Sequence, residues 1–180
     1  LSTHLCPSDL RKKTWLAVKR DSSGAPTASI CEVASSNYVG NFGISEPGVD
    51  GEGVFFRNSS IGMESITDGT SQCLLVGERS HRWCEATRVG AVTKANLFPP
   101  ADSPAVPFVQ NASGMILGHS FEGPPNSPNL ECNNFTSQHS SGANFVFCDG
   151  HTSFISSMMN KQIFRALSTR AGNESVGDFQ

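Results

Sequence analysis

The strongest constraint on this chain is a short stretch near its C-terminus. Asn144-Phe145-Val146-Phe147-Cys148 and His151-Thr152-Ser153-Phe154-Ile155 lie on either side of Asp149-Gly150. Asp-Gly between two β-prone runs is a preferred type I′ hairpin turn, whose two central residues both take positive φ. A two-residue turn predicts Cys148 opposite His151, Phe147 opposite Thr152 and Phe145 opposite Phe154. Phe145, Phe147 and Phe154 would then share a core-facing side, with His151 and Ser153 turned away. Met159, Ile163, Ala166 and Leu167 follow at helical spacing, after serines able to cap a helix and before Gly172 as a stop. The expected unit is a hairpin closed by a short amphipathic helix.

Upstream, the apolar runs Val54-Phe55-Phe56 and Leu74-Leu75-Val76 flank a Thr67-Asp68-Gly69-Thr70 turn, so residues 53–78 read as strand, turn, strand. The chain opens on a Cys6-Pro7-Ser8-Asp9 turn. Arg11, Lys12, Lys13, Lys19 and Arg20 then surround Trp15-Leu16, the pattern of one solvated strand face. Seven of the ten prolines fall within residues 85–131. Proline lacks a ladder donor and fixes φ, so this stretch is expected as a long surface excursion where recognition could take place. With 180 residues, 1–180 suits a single globular domain. The expected fold class is α+β with antiparallel strands dominating.

A net charge of −3 argues against nucleic acid as the main partner, since phosphate binding needs a basic excess. No apolar run reaches the length needed to span a bilayer. The six cysteines, Cys6, Cys31, Cys73, Cys84, Cys132 and Cys148, contain no C-x-x-C pair. Scattered and even in number, they suit up to three disulfides in an oxidising compartment, with fifteen connectivities open; buried free thiols are the competing reading. The start at Leu1, with no leader sequence, is expected of a processed or truncated form.

No nucleophile elbow, H-E-x-x-H helix, Walker A loop or EF-hand loop occurs. Of the histidines His4, His81, His119, His139 and His151, His139 and His151 could join Asp149 around a zinc ion. The turn already accounts for Asp149, however, so a structural His139 that hydrogen-bonds the hairpin or loop backbone is the favoured expectation. Glycosylation sequons at Asn58, Asn111, Asn134 and Asn173 matter only in a glycosylating host.

The segment from His139 to Gly150 has a histidine, nine residues and then Asp-Gly. It resembles the H-x9-D-G signature of a planctomycete-type pseudopilin-like family of unassigned function. Cys6-Pro7-Ser8-Asp9, Asn37-Tyr38-Val39-Gly40-Asn41 and Gly53-Val54-Phe55-Phe56 are similar to further blocks of that family, in order. So are Ile66-Thr67-Asp68-Gly69-Thr70-Ser71, Val76-Gly77-Glu78 and the segment from Leu167 to Glu174. The resemblance implies an extracytoplasmic, pilin-like head. Members begin with a prepilin-type leader and a long apolar helix; measured against that pattern, this sequence is expected to be a cut or truncated form. Beside that pattern, Cys73 and Cys148 suggest an extra local disulfide, and Cys6 with Cys31, flanking the basic segment, is the expected single pair.

The function expected on these grounds is that of a non-enzymatic structural or adhesive subunit. It would be the soluble head of a pseudopilin-like protein, meeting other subunits of a surface or filament assembly. The alternative is a module of the cell surface that binds a solute, glycan or calcium, with Asp68, Glu78, Glu131 or Asp149 supplying oxygen ligands. No spacing specifies a calcium site, and no other cofactor is expected. A metal-dependent hydrolase built on His139, Asp149 and His151 comes third.

Overall fold

The computed structural model describes residues 2–9, 13–174 and 176; Arg11 and Lys12 of the basic segment lie outside them. Mixed α and β structure is present, mostly strands. β1 (Thr14–Arg20) and β2 (Pro26–Ala34) form an antiparallel two-stranded ribbon. The main sheet has five strands: β3 (Tyr38–Gly43), β4 (Leu74–Glu78), β7 (Leu117–His119), β8 (Gly142–Phe147) and β9 (Thr152–Ser156). Their order is β7-β3-β4-β8-β9, and only the β3–β7 pairing is parallel. Two short strands, β5 (Asn96–Leu97) and β6 (Gln110–Asn111), pair separately. The single α-helix among the described residues, α1 (Lys161–Ser168), packs against the sheet.

The core between sheet and helix is aromatic. Phe135, Phe145 and Phe164 meet edge-on, with centroids 5.2 to 6.2 Å apart, the geometry favoured by ring quadrupoles. Leu74, Phe147, Ile155 and Leu167 complete this layer. Gly77 lies against Phe135 and Phe145, where a Cβ would press into both rings. Asn41 is fully buried; its amide donates to the carbonyls of Leu74 and Ser168, both at 2.8 Å, tying β3 to β4 and to the end of α1.

The hairpin occurs where expected but in a different register. Val146 pairs with Thr152, Phe145 with Ser153, and Asn144 with Phe154. Phe147 N donates to His151 O and Gly150 N to Phe147 O, both at 2.9 Å, so the loop has three residues and positive φ falls on Gly150 alone. This is a turn with a following left-handed glycine, which Asp-Gly satisfies as well as it would a type I′ turn. The shift moves Phe154 off the core face, where Ile155 takes its place; Phe154 is 46% exposed. The helix also begins differently: Asn160, not a serine, is the N-cap, its side chain accepting from Gln162 N at 2.8 Å.

Val54-Phe55-Phe56 is not a strand. Val54 N and Phe55 N both donate to Asn41 O, at 3.1 and 3.0 Å, which folds the run across the end of β3 without a ladder. None of the seven prolines of residues 85–131 lies in a strand. Even so, this stretch supplies β7 to the sheet edge and buries Leu97, Met115 and Leu130 completely or nearly so. A disulfide between Cys84 and Cys132 joins its two ends. The expected Cys6–Cys31 pair does not form: Cys6 is a buried thiol beside Asn37, and Cys31 is an exposed thiol on β2.

Candidate functional site

Side chains alternate across a strand, so the residues between the core positions of β3, β4 and β8 face away from α1. Tyr38, Gly40, Val76 and Val146, with Phe55 and Leu117 at the margin, line an open and largely apolar groove of about 800 Å³ there. Gly40 lets the Phe55 ring lie close against β3. A Cβ at that position would come within 2.6 Å of the Phe55 ring.

At one end of the groove Glu78 terminates β4 and is almost wholly buried. Its Oε2 accepts from the backbone and side-chain nitrogens of Asn144, at 2.7 and 3.2 Å. That leaves Oε1 toward His139 Nε2, 3.5 Å away. Cys6 Sγ lies 3.9 Å from the same nitrogen. The three donor atoms are all within 4.8 Å of one another. Burial, then the nearby Glu78 and Cys6, hold the Tyr38 phenol above its ordinary pKa.

Cys6 is placed by the Cys-Pro-Ser-Asp turn, closed by Asp9 N donating to Cys6 O at 3.0 Å. The buried Asn37 reads this turn from both sides. Its Oδ1 accepts from Cys6 N at 2.9 Å, and its amide donates to Asp9 at 2.7 Å and to Arg79 O at 3.0 Å. His139 comes in on the loop before β8; in place of the expected bond to hairpin or loop backbone, its ring lies near Cys6 Sγ and Glu78 Oε1. Asp149 sits at the other end of β8, its N–H on Thr70 O at 3.1 Å. His139, Asp149 and His151 are therefore not brought together. Asp149 instead accepts from the backbone N–H of His151 at 3.0 Å and contacts its ring at 2.6 Å, which together hold the carboxyl below its ordinary pKa.

Asp68 is a clasp. It accepts from Gly172 N at 2.7 Å, Asn173 N at 2.8 Å and Thr169 Oγ1 at 3.2 Å, fastening the chain after α1, while Gly69 supplies the positive φ of the turn. Just outside β4 and β8, Cys148 N donates to Cys73 O at 2.9 Å, and the two side chains, buried free thiols and not the suggested local disulfide, pack against each other. That contact lowers the Cys148 pKa and raises that of Cys73.

Two arrangements had no signal in the sequence. Arg79 is fully buried, donating to the carbonyls of Gly114, Leu117 and Asn134, and burial pushes its pKa down to about 9. Around the buried His119, Glu46 Oε1 lies 3.4 Å from Nε2 and Glu122 Oε2 3.7 Å from Nδ1. Burial and the charges of Glu46 and Glu122 raise the pKa of the neighbouring Glu131. Asn134 is buried and bonded to His119 O and Glu122, so the folded chain does not present that sequon to a glycosylating enzyme. No helix among the described residues is long and apolar enough to cross a membrane.

A family model described as "Protein of unknown function (DUF1559)" matches residues 1–162. No curated protein and no solved structure matches the chain.

Proposed function

The chain belongs to that family of unknown function, and we propose that it is the globular head of a pseudopilin-like, extracytoplasmic protein, a structural or adhesive subunit acting through contacts and not through catalysis. The observation that carries this reading is the apolar groove of about 800 Å³ on the sheet face opposite α1. Water-exposed apolar grooves of this kind favour a covering partner, because removing apolar surface from water is favourable. The groove draws lining residues from all five strands, from Leu117 on β7 to Thr152 on β9, so an apolar helix, of the pilin type or from a neighbouring subunit, would lie across the sheet. The Cys84–Cys132 disulfide supports an oxidising compartment.

The test replaces Val76 or Val146, both half-buried at the groove, with Asp. Circular dichroism should show a retained fold, while recovery of the protein in the cell-surface fraction drops sharply. Recovery at the wild-type level for both folded variants would contradict the reading.

A second reading, a calcium-binding surface module, is favoured by Glu131 standing with Glu46 and Glu122 around His119. Of the other expected oxygen ligands, Asp68 and Asp149 are taken up by main-chain donors, and Glu78 spends one oxygen on Asn144. Calorimetry with calcium decides it: saturable heat abolished by Glu122→Gln supports the module, and a flat trace removes it.

A further inference from the structure

We infer that Cys6, Glu78 and His139 form a binding site for a zinc ion, which pins the N-terminal turn to the end of β4 and leaves one coordination position open. The three residues come from chain segments far apart in sequence, yet their donor atoms converge on one point. The separations are informative. His139 Nε2 to Glu78 Oε1, at 3.5 Å, exceeds the normal hydrogen-bond range, and Cys6 Sγ to Nε2, at 3.9 Å, is long even for sulfur. Zinc binds sulfur at about 2.3 Å, and nitrogen and oxygen at about 2.0–2.2 Å, so the edges of its tetrahedron are roughly 3.3–3.6 Å. The two separations at His139 lie within a few tenths of an ångström of those edges, and Cys6 Sγ and the Glu78 carboxylate are within 4.8 Å of each other.

The surroundings are those of a ligand set already held in place. Asn144 occupies Glu78 Oε2 with two donors and so turns Oε1 toward the shared point. An outer partner of this kind fixes a carboxylate ligand before the metal arrives. Asn37 fixes the Cys6 backbone in the same way. Cys6 and Glu78 are buried, while His139 is partly open, which provides an entry path. Thiolate, imidazole and carboxylate form a borderline-soft set that suits zinc and disfavours calcium and magnesium, which take oxygen ligands. Glu78 also borders the groove, while Cys6 and Glu78 together line a separate small cavity at the N-terminal turn.

The experiment titrates the full chain with zinc against a chromophoric chelator and repeats the titration with cobalt, which reports a thiolate ligand by a charge-transfer band. The expected result is about one zinc per chain and a clear thiolate band. Asn144→Ala should weaken binding roughly tenfold, as loss of an outer partner does. Cys6→Ser and His139→Gln should each weaken it by more than about a hundredfold and, for Cys6→Ser, abolish the band. Cys31→Ser, the exposed thiol, should change nothing.

Zinc affinity unchanged in folded Cys6→Ser and His139→Gln variants would overturn the site, as would the absence of stoichiometric binding. X-ray absorption on the zinc-loaded wild type needs no variant. One sulfur at about 2.3 Å with nitrogen and oxygen neighbours supports the assignment, and a shell without sulfur overturns it. None of these outcomes depends on the groove or on where the protein resides.

Discussion

The five-stranded sheet with α1 and the proline-rich stretch 85–131 are held together by different physics. In the sheet, aromatic and aliphatic side chains from β4, β8, β9 and α1 fill a continuous layer, and the backbone pairs with itself. The proline-rich stretch has little ladder to offer. Its ends are joined by Cys84–Cys132, and the carbonyls of Gly114 and Leu117 within it accept from the buried Arg79. Asn133 and Asn134 serve it in the same way through side-chain bonds to Gln110, His119 and the nearby carboxylates. Where proline removes backbone donors, polar side chains and a covalent link take over. The difference teaches that one half should fail when its volume changes and the other when its cross-link is cut.

The largest expected effect is in the sheet. Phe145→Ala leaves a cavity among three rings and should cost about 3–5 kcal/mol, equally with and without reductant, as read by urea unfolding. Equal sensitivity to reductant in both halves would break the comparison. Next, replacing Cys84 and Cys132 together by Ser releases a loop of sequence separation 48 and should cost about 2–4 kcal/mol. Hydrogen exchange should then rise first in residues 85–131 while β8 and β9 stay protected; early loss in β8 would count against the division.

A smaller effect sharpens the picture of the hairpin. Ile155→Val should cost about 0.5–1.5 kcal/mol, and Phe154→Leu, at an exposed position, no more than about 0.5 kcal/mol. A reversal of that order would restore the two-residue turn. The smallest effect concerns Asp149, at the exposed turn and held below its ordinary value of 3.8 by the His151 N–H and ring. A carboxyl with a depressed folded-state pKa stabilises the fold above its ordinary value, and the contribution is lost as pH falls through the folded value. Wild type and Asp149→Asn should therefore differ slightly in thermal midpoint above pH 3.8 and converge in stronger acid.

The hairpin and the helix were legible because period-two and helical patterns are local. The register was not, since Asp-Gly serves two turn types and a change of one residue in loop length sends Phe154 to the opposite face. The Cys-Pro-Ser-Asp and Asp68-Gly69 turns could be read as turns, but their partners Asn37 and Gly172 lie far along the chain and carry no spacing signal. The same holds for the corner at Cys6, Glu78 and His139, where each residue stands in a separate block and only the sheet brings them together. Cysteine pairing failed for a related reason: proximity to the basic segment favoured Cys6 with Cys31, whereas the disulfide joins the ends of the proline-rich stretch.

Protease shaving of intact cells, followed by non-reducing mass spectrometry of the released peptides, tests the extracytoplasmic head most directly. Peptides carrying Cys84 joined to Cys132 should appear in the supernatant before any lysis. Their appearance only after lysis, with both cysteines reduced, would contradict the assignment.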